Sequence, residues 1–301
     1  MTTAELRPRG PYSLRVSGVH ASDATRFVSS IQGTYTATIA GENGLERVHA
    51  WQRPDGVVCV RAQSEAGVEH VRFVTGLEDD HSEFLARFAD DALLAQTIRR
   101  MRGFRPMRTG TVAQALLRAV AGQLITSKEA RELERTIIRR STGKLGRWHA
   151  APTTADLARY SPPQLSALGL GARRGAALVR LCRAGDLERL KRAPTEAAAR
   201  WIERERGLGP WSAGIVCIEG LGRYERGLAR DLGIVKLASA LWGRWVEAEE
   251  SDALLAPYGE WTGLASVYLL AGHHAGLVPL PDAHRDSRRR EDRRVAPRRA
   301  A

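Results

Sequence analysis

The chain has 301 residues, enough for two domains with cores of their own, and 43% of them are hydrophobic, as in a globular protein. Its 46 Lys and Arg outnumber its 34 Asp and Glu, and the net charge of +12 points to a polyanionic partner. No apolar run approaches a membrane span, residues 1–20 lack the apolar core of a signal peptide, and Cys59, Cys182 and Cys217 form no metal-ligand spacing. A cytoplasmic protein with buried thiols, no metal and no membrane contact is expected.

In chain order, short alternating runs come first. Strands are expected at Tyr12–Val16, Tyr35–Ile39, Val48–Trp51, Val57–Val60 and Val68–Phe73, separated by turn sequences such as Gly41-Glu42-Asn43-Gly44 and Arg53-Pro54-Asp55-Gly56. Helices are expected over 21–30 and 82–101. These elements give an N-terminal α+β domain, residues 1–107, with an antiparallel sheet and helices on one side. From 108 to 280 nearly everything has helical period, giving an all-α domain of short helices punctuated by Gly and Pro. The helix from Thr111 places Val112, Leu116, Leu117, Val120 and Leu124 on one stripe. Further helices run from Ala172 to the Arg183-Ala184-Gly185 stop and from Pro194 to Arg206. The Gly-rich segment at 169–175 is too divergent to count as an internal repeat. Residues 281–301 hold eight Arg against four acids with no apolar period, which reads as a basic disordered tail. A net charge of about +8 therefore belongs to the rest of the chain.

The most informative stretch runs from Ile202 to Lys236. A helix ending near Arg206 is followed by Gly207-Leu208-Gly209, whose glycines are free to take φ > 0. Pro210 suits a first helical turn, and Ser212-Ala213 start a second helix. In such a helix-hairpin-helix, Gly207, Leu208, Gly209 and Ser212 leave backbone N–H groups uncovered beside a positive helix end, which suits one DNA phosphate without reading a base. Eighteen residues after Ala213 stands Asp231, followed by Leu232, Ile234, Val235, Leu237, Leu241 and Trp242 at helical spacing. Taken by itself, Asp231 is an N-cap.

A hairpin of this type followed at this distance by Asp-Leu-Gly-Ile resembles the helix-hairpin-helix, glycine/proline-rich, aspartate superfamily of DNA glycosylases, and within it DNA-3-methyladenine glycosylase II. Gly103-Phe104-Arg105-Pro106 leading to Ala121-Gly122-Gln123-Leu124, Leu168-Gly169-Leu170-Gly171 with Arg173-Arg174, and Tyr258-Gly259-Glu260-Trp261 are similar to further family segments in the same order. No cysteine follows Cys217, so the iron–sulfur cluster of endonuclease III relatives is not expected.

The resemblance implies that Asp231 is the catalytic carboxylate. It also implies that Trp211 and Trp261 line a base pocket, with Ile215 and Leu232 at positions where broad-range members carry tyrosines. Gln123 and Leu124 would form the wedge that fills the duplex once a base is flipped out. Read without it, Trp211 and Trp261 could be core aromatics and Leu124 the end of its apolar stripe. Trp242 and Trp245 are expected in the core, and the adjacent His273-His274 have no third ligand at a metal-binding spacing. The implied partner is double-stranded DNA with damaged bases, bound by a monomer that needs no cofactor. Trp211 stands where a glycosylase/lyase carries its lysine, so a monofunctional enzyme for alkylated bases is expected. The alternatives are a non-catalytic DNA-binding damage sensor and a glycosylase/lyase for oxidised bases.

Overall fold

In the computed structural model, which describes residues 2–123 and 125–281, five strands form one antiparallel sheet. They are β1 (Thr2–Leu6), β2 (Arg26–Ser29), β3 (Thr34–Gly41), β4 (Gly44–Gln52) and β5 (Val58–Ala62), in the order β1-β5-β4-β3-β2. The strands β3 and β4 pair from Thr34–Trp51 to Gly41–Gly44, where Gly44 takes φ +110° to close the turn. Alternation puts Tyr35, Ala37, Ile39, Val48 and Ala50 on the buried face. After the single-turn helix α1 (Leu14–Ser17), helix α2 (Glu65–Val74) lies on that face with Val68, Val71 and Val74 buried. Gly67 permits the close approach, since a Cβ there would come 2.6 Å from that of Ala62.

Three expected elements change type. Tyr12–Val16 is not a strand, because Ser13 accepts a hydrogen bond from the Val16 N–H and starts α1. Residues 21–30 are not a helix: the Asp23 carboxylate accepts from the backbone N–H groups of Thr25 and Arg26, and this local turn outcompetes helix and launches β2 along β3. Val68–Phe73 is not a strand, since Ser64 caps α2 and the buried valines recur every three residues. Strand β1 had no expectation attached to it. The helix expected over 82–101 is broken into α3 (Ser82–Arg87) and α4 (Ala95–Arg100), with Asp91 accepting from the N–H groups of Leu93 and Leu94 between them.

The helices that follow are α5 (Val112–Gly122), α6 (Ser127–Ser141), α7 (Thr154–Ala158), α8 (Pro162–Ala167), α9 (Ala172–Arg183), α10 (Thr195–Glu203), α11 (Pro210–Ile215), α12 (Leu232–Trp242), α13 (Asp252–Leu255) and α14 (Thr262–His274). Helix α11 runs on through a π-helical turn, Val216–Leu221. A two-stranded ribbon, Lys144–Leu145 with Trp148–His149, interrupts the helical order and reaches back to the N-terminal region, where the His149 N–H donates to the Ala24 carbonyl at 2.9 Å.

Helix α5 is buried along almost its whole length and packs against α6, α9, α11 and the π-helical turn. Phe84, Phe88 and Leu94 join this larger core, while the sheet and α2 enclose the smaller one. Arginines fasten the two. Arg118 on α5 pairs with Asp23, Glu134 and Glu219, and fully buried Arg105 donates to the carbonyls of Arg9, Pro11 and Gly76. No helix among the described residues is long and apolar enough to cross a membrane.

Candidate active site

The hairpin between α10 and α11 is built by a few local choices. The Leu208 N–H donates to the Glu205 carbonyl at 3.0 Å, Gly207 takes φ +92°, and buried Leu208 anchors the turn in the core. Only one of the two glycines adopts the left-handed region. Gly209 is extended at φ −118° and acts as N-cap of α11, with Pro210 next, because the turn reverses direction at Gly207 alone. A Cβ at either glycine would meet nothing within 4 Å among the described residues. No side chain caps α11, and the first N–H groups of any helix have no partner inside it. Among the described residues this positive helix end is therefore uncovered.

Gln123, at the end of α5, ties itself to this hairpin. Its amide donates to the Gly207 carbonyl at 2.8 Å and to Ser212 Oγ at 3.1 Å, while Arg174 on α9 donates to the Gln123 carbonyl at 2.8 Å. Leu124, the other wedge position, lies outside the described residues, as does the basic tail from 282 onward.

Asp231 is the N-cap of α12, with Oδ1 accepting from the Gly233 N–H at 2.7 Å. Its Oδ2 accepts from Trp211 Nε1 at 2.7 Å, which joins the second hairpin helix to the carboxylate. The residue before it, Arg230, is held at φ +61°, a conformation uncommon for a residue with a side chain, and its guanidinium lies 3.1 Å from Glu249 and 3.6 Å from Asp252. Half-buried Asp231 is flanked by Leu232, which is 59% exposed, while Ile215 is buried one turn beyond Trp211.

Gln123, Gly207, Ser212, Trp211 and Asp231 therefore form one connected cluster. Trp261 is not joined to it by any such contact. Its ring packs 5.8 Å from that of Phe84, its indole N–H is buried without an acceptor among the described residues, and on α14 it is Leu270 that lies against Gly233 at the start of α12. Nine residues separate the two, about 13 Å along a helix axis. Trp242 and Trp245 are not core residues, being 41% and 62% exposed, because Gly243 at φ +68° ends α12 just as the apolar stripe reaches them. A cavity of about 450 Å³, lined by Thr111, Thr154, Cys182, Asp186 and Glu188, contains none of the cluster. No group of three or more His, Cys, Asp or Glu among the described residues is placed to hold a metal ion.

The sequence reading missed Gly122, Arg174 and Arg230. A Cβ on Gly122 would come 2.8 Å from Trp211 Cη2, so the indole occupies the space that this glycine leaves. Gly122 stands in the quoted Ala-Gly-Gln-Leu segment, but nothing in the sequence says what fills its place, and a left-handed arginine has no sequence signature.

Comparison with known proteins places this architecture. The structure superposes on the 3-methyladenine DNA glycosylase of Archaeoglobus fulgidus with a TM-score of 0.77 over 91% of this chain and 98% of that one, at 22% identity. The chain has the fold of that DNA glycosylase. A Bacillus subtilis protein named DNA-3-methyladenine glycosylase is 24% identical over 214 residues, 67% of this chain and 70% of its own length. The 8-oxoguanine glycosylase/lyase of Clostridium acetobutylicum, solved with double-stranded DNA, shares the glycosylase fold at a TM-score of 0.71 and 16% identity, over 92% of this chain and 99% of that one. No family model matches the chain.

Proposed function

We propose that the protein is a monofunctional DNA glycosylase that removes alkylated bases such as 3-methyladenine from duplex DNA. The observation that carries this reading is the 2.7 Å hydrogen bond between Trp211 on the hairpin helix and Asp231 at the head of α12, which sets a carboxylate beside a turn suited to one phosphate. Breaking the bond between C1′ and a base nitrogen leaves positive charge on the sugar, and a fixed carboxylate at a helix N-terminus stabilises that charge without reorganising. A base alkylated at N3 or N7 already carries positive charge, so it departs without strong general-acid help. The protein's tasks are then to hold the flipped nucleotide and to place Asp231 beside C1′. Water attacks the sugar.

The structural likeness to an 8-oxoguanine glycosylase/lyase favours a second reading, in which a lysine attacks C1′ and cleaves the strand. That chemistry needs an amine on the second hairpin helix facing the carboxylate. Gly209-Pro210-Trp211-Ser212-Ala213 contains none, and exposed Lys236, five residues past Asp231, points about 140° away from it around the helix. The experiment is to incubate the protein with duplex DNA methylated by dimethyl sulfate, identify the released bases, and add borohydride during turnover. Release of 3-methyladenine with no trapped protein–DNA adduct is expected. A trapped adduct that disappears in a Lys236→Ala variant would establish the lyase instead, and DNA binding with no base released would leave a damage sensor.

A further inference from the structure

From the sequence Trp211 is expected as a pocket aromatic, yet its polar atom is committed to the carboxylate. We propose that Trp211 is a positioning residue for the reaction, whose indole N–H fixes the second oxygen of Asp231 and so sets where the carboxylate stands relative to the hairpin. The inference rests on the reading of Asp231 as the group that stabilises the sugar cation.

Each carboxylate oxygen has a donor from a different element. Oδ1 receives the Gly233 N–H, from the helix that Asp231 itself caps, and Oδ2 receives Trp211 Nε1 from the hairpin helix, both at 2.7 Å. One donor alone lets the carboxylate turn about its Cβ–Cγ bond; two donors on separate elements fix its plane. Each oxygen still keeps lone-pair capacity for a cation.

The indole is held in turn. Its six-membered ring fits over Gly122, where a Cβ would stand 2.8 Å from Cη2, closer than real Cβ contacts come. On either side of Trp211 the neighbouring residue Gln123 reaches the hairpin, at Gly207 O and at Ser212 Oγ. The end of α5, the phosphate turn and the carboxylate thus form one rigid chain with Trp211 as its central link. A dipole fixed in this way costs no reorganisation as charge develops on the sugar.

Two variants separate this role from stacking or packing. Trp211→Phe keeps an aromatic face and removes the donor. Its single-turnover release of bases from dimethyl-sulfate-methylated duplex DNA is expected to fall about tenfold or more, the scale of a hydrogen bond to a charged group. Affinity for a duplex carrying a tetrahydrofuran abasic analogue is expected to stay within about twofold. Gly122→Ala displaces the indole and is expected to slow the same step, yet to add no further loss in the Trp211→Phe background, where the donor is already gone. A wild-type rate in Trp211→Phe overturns the proposal, as does additive loss in the double variant. So does a parallel fall of rate, affinity and melting temperature, which marks a packing role. Asp231→Asn is measured alongside: full activity there removes the underlying reading of the carboxylate, whereas an inactive Asp231→Asn beside a fully active Trp211→Phe removes this inference alone.

Discussion

His81 is only 2% exposed, neither ring nitrogen has a hydrogen-bond partner among the described residues, and a carboxylate oxygen of Asp79 is 3.8 Å away. Burial pushes its pKa down to about 4, with Asp79 opposing and Arg105 and Arg108 adding to the shift. A histidine with a lowered folded-state value stays neutral in the native protein while the unfolded chain takes up a proton below about 6.5. Stability from this group is therefore full above pH 6.5 and declines by about 1.4 kcal/mol per unit as pH falls toward 4. Urea unfolding of His81→Leu at pH 7 and pH 5 should show a shallower loss than the parent, and an equal loss would contradict this account. At this scale the sequence is legible where chemistry and position coincide: Asp231 precedes an apolar helical run and is found as that helix's cap. It is not legible where a neighbour decides. Gly122 acquires its meaning from an indole 89 positions downstream, and nothing in the sequence announces the φ of +61° at Arg230.

The glycine hairpin is the element that ties sequence to proposed function, and its two glycines differ. Gly207 at φ +92° has open space around its Cβ position, so Gly207→Ala is strained by its backbone and not by crowding, at about 1–2 kcal/mol. Gly209 is extended with equally open space, and Gly209→Ala should leave the melting temperature close to that of the parent. A methyl group there would still cover part of the face offered to a phosphate, so duplex affinity should fall while stability holds. Unchanged affinity in Gly209→Ala would argue against this turn as the phosphate contact. The turn between α8 and α9 has the same build, with Gly169 at φ +99°, Leu170 buried and Gly171 as N-cap, although the flanking sequences hide the likeness. Among the helices from 111 onward, α5 and α12 were legible because their caps, Thr111 and Asp231, announce their starts. Two of the N-terminal errors share a cause: in stretches as short as 12–16 and 21–30, Ser or Asp hydrogen bonds to the backbone outweigh the apolar period.

Across the whole molecule, the α+β composition, the basic charge and the order of motifs were readable in advance, whereas the way α3 and α4 join the helical core was not. That joining depends on Phe84 meeting Tyr268 and Phe88 meeting Tyr258, contacts between residues more than 160 positions apart. Binding is expected to weaken steeply with salt, because a chain of net charge +12 that grips phosphates releases a counterion at each contact. A salt-independent affinity for duplex would contradict the electrostatic part of the account. The central claim is that Asp231 stabilises the positive charge left on the sugar as the base departs. Asp231→Asn keeps a residue that caps helices well, so folding and abasic-duplex binding should persist while release of 3-methyladenine from methylated duplex falls by about 10² to 10³. Release by the Asn variant at close to the parent rate would contradict it.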